Sequence, residues 1–320
     1  VIKRAFVLAA GLGTRLRPLT DQLPKPLIPV GRKPLITFAF DHLIAEAGIE
    51  EFIVNTHHLP EAFAAAFPKR EYRGRPLHFR HEPVLLETGG GIRNIADLTQ
   101  EEPFIVYNGD ILTDLPIAPL LEAHRAAGNE VTLALRSQDG PKHMAWDAAS
   151  GRILDIRNLL GSGAAAGYGF GCVYVVEPAF LERIPPGVPV SVIPAFLEMV
   201  REGARLGGFV ADEGMWRDLG TREEYLRVHR DLRGMAASFP RYGAPDPAWR
   251  DWIDPTACIA PDARISGASA IGAGARIGAG ASLCDSIVWP GGEIASSSEL
   301  KNCIVRTSAV AAGNLTEAVV

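Results

Sequence analysis

The chain has 320 residues, of which 37 are acidic and 32 basic, so its formal charge of −5 leaves no broad basic surface for a nucleic acid. Cys172, Cys258, Cys284 and Cys303 form no C-x-x-C pair and no compact cluster with histidine, which argues against a disulfide framework and a cysteine zinc site and favours a reduced, cytoplasmic setting. No apolar stretch approaches bilayer-spanning length, so no membrane partner is expected.

Lys3 and Arg4 precede a short apolar run at residues 5–10, which is too short for an export signal and reads as a buried parallel strand. Gly11 and Gly13 end it in a turn whose successive N–H groups are free to point at phosphate oxygens. Arg15, Arg17 and Lys25 follow, and Pro24 and Pro26 stiffen the backbone on either side of Lys25. A dinucleotide fingerprint is excluded because its third glycine falls on Leu16, and a Walker A loop because no Gly-Lys-Ser/Thr follows.

Leu8, Ala9, Ala10, Gly11, Gly13, Thr14, Arg15, Leu16, Pro18, Leu19, Thr20, Lys25 and Pro26 together resemble the signature of the sugar-1-phosphate nucleotidylyltransferases. The resemblance implies that the segment from Leu8 to Thr14 binds nucleotide and that Arg15 and Lys25 are catalytic. Further along, residues 34–47 have helical spacing and end at Gly48, and residues 51–55 read as a strand, giving a right-handed strand-helix-strand unit. The adjacent His57 and His58 are read as loop packing rather than metal ligands. A short helix at 60–67 and a strand at 77–80 lead to Gly89, Gly90 and Gly91, a second glycine-rich approach before a helical stretch at 92–98, with Thr88 as its N-cap. By resemblance Glu82 reads the base, and Thr88 and Gly89 belong to the base-contacting turn.

A central strand at 103–107 runs into Asn108-Gly109-Asp110, at the carboxyl end where open α/β sheets place ligands. The resemblance puts Asn108 on the nucleotide. It also assigns Asp110, with Asp218 of Trp216-Arg217-Asp218-Leu219-Gly220-Thr221, to a shared Mg²⁺, an ion that prefers hard carboxylate and phosphate oxygens. Between them come a helix (116–127), strands (131–136, 152–156, 168–176) and a loop of small residues at 159–167 that is suited to closing over substrate. Gly171 matches the family's sugar-contacting glycine. The family's glutamate-lysine-proline stretch is absent, and Arg157-Asn158 stands nearby, so Asn158 is the sugar-binding candidate there. A helix (190–202), a strand (205–210) and a helix (222–232) complete the region.

From Ile253 apolar residues recur every six positions, at Ile259, Ile265, Ile271, Ile277 and Leu283, with glycine, alanine and serine between them. That period predicts a parallel β-helix resembling the left-handed hexapeptide type, with one-residue slips at 283–288 and 300–305 suggesting an irregular final coil. No histidine lies beyond His229, which argues against acyl transfer and for a structural or oligomer-forming role. The expected whole is an α/β, Rossmann-like, mixed but mostly parallel sheet followed by a short left-handed β-helix, with a catalytic domain at 1–237, a linker at 238–252 and the repeat at 253–320. The resemblance implies a Mg²⁺-dependent transfer from a nucleoside triphosphate to a sugar 1-phosphate. Its base segment favours UTP, as in N-acetylmuramate 1-phosphate uridylyltransferases. Its tail is more usual in mannose-1-phosphate guanylyltransferases, which would take GTP, and in glucose-1-phosphate enzymes, and a non-catalytic sugar-nucleotide-binding subunit is the alternative from another class.

Overall fold

A computed structural model describes residues 2–138, 140–235, 238–243 and 250–320. Packing divides the chain into two compact units, one of Val1–Leu12 with Phe38–Trp216 and one of Gly13–Thr37 with Arg217–Val320. This division follows packing, whereas the expected boundaries at 237 and 253 follow chain order; the expected linker lies partly outside the described residues.

The first unit is built on a ten-stranded sheet of β1 (Arg4–Leu8), β2 (Glu51–Thr56), β3 (Glu71–Tyr72), β4 (Arg75–His81), β5 (Phe104–Asn108), β6 (Val131–Arg136), β7 (Met144–Asp147), β8 (Arg152–Ile156), β9 (Gly169–Val176) and β10 (Leu206–Val210). Their spatial order is β7-β8-β10-β6-β9-β5-β1-β2-β4-β3, and β3, β8 and β9 run against the rest. This is the mixed, mostly parallel, Rossmann-like sheet the sequence leads one to expect. The strands read as unbroken apolar runs because both faces are covered. Phe6, Ile53, Phe104, Val106, Leu133 and Tyr174 are each at most 1 % exposed, and each fully buried Ile, Val or Phe contributes about 1.5–3 kcal/mol.

The helices are α1 (Ile36–Ala47), α2 (Pro60–Ala66), α3 (Glu87–Arg93), α4 (Ile117–Ala127), α5 (Ile193–Arg201) and α6 (Arg222–Gly234). Gly48 adopts φ 63°, the left-handed cap expected after α1. Helix α3 departs from expectation. It runs through the three glycines instead of starting after them, and its N-cap is Leu86, with no side-chain cap from Thr88. On α1, fully buried His42 lies between the Tyr107 hydroxyl (3.2 Å from Nδ1) and the Leu115 carbonyl (2.8 Å from Nε2). Burial pushes its pKa down to about 3, so Nε2–H donates to the carbonyl and Nδ1 accepts from the hydroxyl.

In the second unit a β-helix stacks its coils in register. Cys258 pairs with Arg276, Arg276 with Glu293 and Glu293 with Val310, steps of 18, 17 and 17 residues. The hexad residues Ile271, Ile277, Leu283, Ile294 and Leu300 form its apolar interior, together with Val288 and Val305. The one-residue slips repeat rather than marking an irregular end. Leu283 pairs with Leu300 and Val288 with Val305, and the corners between them hold left-handed Asp285 (φ 49°) and Asn302 (φ 53°).

Helix α6 ties the coil to the signature segment of the same unit. Fully buried Trp289 donates through Nε1 to the Tyr225 hydroxyl (3.2 Å), which donates in turn to the Pro29 carbonyl (2.5 Å). One turn on, His229 donates from Nδ1 to the Tyr225 carbonyl (2.8 Å) and accepts the Gly31 N–H at Nε2 (3.0 Å). Burial lowers its pKa to about 4.

Candidate functional site

In the first unit the candidates gather at the carboxyl ends of β1 and β5. Leu8 pairs with Asn108 in parallel register, and the Gly109 N–H donates to the Leu8 carbonyl at 2.8 Å, so the Asn108-Gly109-Asp110 turn begins directly beside the exit of the first strand. Asp110 is half-buried there. Ala9 and Ala10 are buried, Gly11 is exposed, and a Cβ added to Gly11 meets no heavy atom within 4 Å. That glycine answers to no packing demand in the protein itself.

The second glycine stretch is built differently. The N–H groups of Gly89 and Gly90 both donate to the Val190 carbonyl (2.8 and 3.0 Å), and the Thr88 hydroxyl accepts the Val192 N–H (2.9 Å). A Cβ on Gly90 would stand 2.4 Å from the Val188 carbonyl oxygen, and one on Gly89 2.9 Å from that of Ser191. Glu82 is fully buried, with Oε1 accepting from Asn55 Nδ2 (2.8 Å) and Oε2 from the Leu86 N–H (3.0 Å). Both of its oxygens face inward and accept from protein donors.

Gly171 is also buried, and its carbonyl accepts Trp216 Nε1 (2.9 Å). Asn158 lies in an exposed turn after β8 at φ 54°, where its carbonyl accepts the Gly161 N–H (3.2 Å). Beside it buried Asp155 accepts the N–H groups of Ile156, Leu160 and Ser162 at 2.7–3.1 Å, which anchors the start of the 159–167 loop.

The second unit brings Gly13, Arg15, Lys25 and Asp218 together. Gly13 has φ 60°, and a Cβ there would stand 2.8 Å from Thr20 Cγ2 and 3.3 Å from Lys25 Cβ, so the turn requires glycine for both conformation and space. The Lys25 side chain is 7 % exposed and its Nζ lies 2.9 Å from Asp218 Oδ1, while Arg15 reaches Oδ2 of the same carboxylate at 3.6 Å. Thr14, next to Arg15, is exposed. Pro24 and Pro26 hold Lys25 in a 3-10 turn, so a buried ammonium is delivered at a fixed place, as the flanking prolines predict.

The rest of the Trp216–Thr221 motif then acquires physical reasons that its spacing alone does not supply. A Cβ on Gly220 would come within 2.7 Å of Arg15 Nη2, so glycine clears the guanidinium. The Thr221 hydroxyl accepts the Glu224 N–H (3.2 Å) and caps α6.

Among the described residues no group of three or more His, Cys, Asp or Glu could hold a metal ion by itself. Half-buried Asp110 and 41 %-exposed Asp218 are hard oxygen donors. A single carboxylate completed by substrate phosphates and water suffices for Mg²⁺, and each of the two, taken in its own unit, is a donor of that kind. Asn55 escapes a sequence reading that follows glycines and acidic residues. The available signal is a polar residue at the carboxyl end of β2, the strand next to β1.

Comparison with known proteins gives the family. The sequence pattern of the nucleotidyl transferase family matches residues 4–143. A mannose-1-phosphate guanylyltransferase of Mycobacterium tuberculosis is 33 % identical over 297 residues, covering 90 % of this chain and 80 % of its own. The mannose-1-phosphate guanylyltransferase catalytic subunit beta of Danio rerio is 29 % identical, covering 94 % and 85 %. In fold, the chain resembles a putative glucose-1-phosphate thymidylyltransferase from Bacillus anthracis (TM-score 0.61, 19 % identity, 71 % of this chain and 94 % of that one).

Proposed function

We propose, for a chain that belongs to the nucleotidyl transferase family and is a sugar-1-phosphate nucleotidyltransferase, that its substrates are GTP and mannose 1-phosphate. The preference for UTP drawn from the LETGGGI segment finds no support: the relatives at 33 % and 29 % identity are guanylyltransferases, not N-acetylmuramate 1-phosphate uridylyltransferases.

The single observation that carries the catalytic reading is the buried Lys25 ammonium held at Asp218 beside Arg15. The nucleophile is a phosphate oxygen of the sugar phosphate, whose second pKa near ~6 leaves it largely ionised at neutral pH, so no protein base is needed. It forms a bond to the α-phosphorus of the triphosphate while the bond to the bridging oxygen of the β-phosphate breaks, giving an NDP-sugar and pyrophosphate. Main-chain donors at Gly11 and Gly13 hold the triphosphate in line, and Lys25 and Arg15 neutralise charge that develops on the transferred and departing phosphates. By the family resemblance Asp110 and Asp218 would hold Mg²⁺, which would supply positive charge to offset that of the phosphates. Asn108 is proposed to contact the nucleotide and Gly171 and Asn158 the sugar.

Pyrophosphate release across GTP, UTP, ATP and dTTP, each with mannose, glucose and N-acetylmuramate 1-phosphates, tests this reading. The highest kcat/KM is expected for GTP with mannose 1-phosphate. A maximum for UTP with N-acetylmuramate 1-phosphate would reverse the substrate assignment, and no turnover with any pair would refute the catalytic one.

A further inference from the structure

At the exit of β1 the Ala9 N–H donates not to a main-chain carbonyl of the neighbouring strand but to a side chain on it, the Asn55 oxygen, at 2.7 Å. The amide nitrogen of Asn55 donates to Glu82 Oε1 (2.8 Å), and Glu82 Oε2 accepts the Leu86 N–H (3.0 Å). Asn55 is 2 % exposed and Glu82 fully buried. Gly91 packs on both, since a Cβ there would stand 3.0 Å from Asn55 Nδ2 and 3.1 Å from Glu82 Oε1. The Glu82 carbonyl is held as well, by His57 Nδ1 at 2.7 Å.

We propose that Asn55 and Glu82 form a positioning relay that fixes the first nucleotide-binding turn, at Ala9, against the segment entering the second glycine stretch, at Leu86. The proposal rests on the nucleotidyl-transfer reading for its functional consequence, but not for its geometry. The chain of bonds has one polarity. Ala9 and Leu86 present N–H donors at its two ends, so the two side chains between them must offer an acceptor at each outer end and one donor where they meet. Asparagine facing a carboxylate satisfies this. The opposite arrangement, a carboxylate at 55 facing an amide at 82, satisfies it equally well. Neither single exchange does so without cost: Asn55→Asp sets two carboxylates face to face in a dry site and supplies the central donor only by taking up a proton, and Glu82→Gln leaves one N–H donor opposite another.

This reversal supplies the test. Asn55→Asp and Glu82→Gln are each expected to raise the KM for the nucleoside triphosphate at least about tenfold, with the KM for sugar 1-phosphate and kcat within about threefold of the parent. The double variant N55D/E82Q is expected to return the nucleotide KM to within about threefold of the parent. A role in packing alone would lower the folded fraction and leave the nucleotide KM of the remaining enzyme unchanged. That result overturns the proposal, as does a double variant no better than the worse single one. Should Asn55→Asp not fold, the double variant is still expected to fold, and its failure counts against the relay.

Amide hydrogen exchange on the ligand-free protein gives a second readout. Exchange at Ala9 and at Leu86 is expected to quicken together in each single variant and to slow again in the double one; acceleration at only one of the two would break the relay. An enzyme inert towards every nucleotide would sink the proposed function while leaving exchange to decide the relay.

Discussion

Gly11 and Gly89–Gly91 look alike in the sequence, yet they are glycines for opposite reasons. Around Gly11 a side chain would meet only open space, so nothing inside the protein accounts for the residue. Around Gly89–Gly91 the room is already taken by the carbonyls of Val188, Val190 and Ser191 and by the Asn55–Glu82 pair. Glycine-rich sequence therefore marks close approach without saying what approaches. The neighbours of the missing Cβ decide it.

The largest effect that sharpens this contrast concerns the cation delivered after the first turn. Lys25→Ala is expected to lower kcat by about a thousandfold, roughly 4 kcal/mol of transition-state stabilisation. Urea denaturation should show it to be nearly as stable as the parent, and a variant with near-normal turnover would remove the basis for the mechanism. Next comes Gly90→Ala, which forces a methyl group onto a carbonyl oxygen and should cost about 3 kcal/mol of folding stability. Its signature is a lowered denaturation midpoint with little change in the nucleotide KM of the folded fraction.

Acid lowers stability without altering either glycine stretch, and so provides a control. His42 and His229 are buried as neutral rings with pKa values of about 3 and about 4. The unfolded chain takes up protons that the folded one refuses, so stability is full above about 6.5 and falls as pH drops, by up to about 1.4 kcal/mol per pH unit for each ring. Below about 4 only His42 continues to contribute. Denaturation at pH 7.5, 5.5 and 4.5 should show a shallower slope for His229→Gln than for the parent. The smallest expected effect is that of Gly11→Ala, about a tenfold loss in kcat/KM with an unchanged melting temperature. A fall in melting temperature instead would place Gly11 with the packing glycines and end the distinction.

Much of this was legible because its causes are local. An apolar run ending in glycine gave β1, six-residue spacing gave the coil, and prolines around Lys25 foretold a stiffened backbone that holds the lysine in place. Partnerships between distant residues were not legible. Nothing near Lys25 indicates that Asp218 meets its ammonium, and nothing near Gly220 indicates that Arg15 occupies the space a side chain would need. The partners of Glu82 were hidden for the same reason. Nothing near Glu82 in the chain indicates that Asn55, on the adjacent strand of the sheet, donates its amide to the carboxylate. The helical pattern at 92–98 likewise concealed that α3 already runs through the glycines, because glycine propensity opposes a helix that tertiary contacts impose.

The Trp289–Tyr225–Pro29 chain of hydrogen bonds bears on how such proteins are remade. A tail whose indole props the backbone leading away from Lys25 is no interchangeable ornament: grafting in a foreign repeat, or trimming this one, would loosen the stretch proposed to handle the phosphates. Changes in the solenoid should therefore register first as lost turnover, before any change in subunit number.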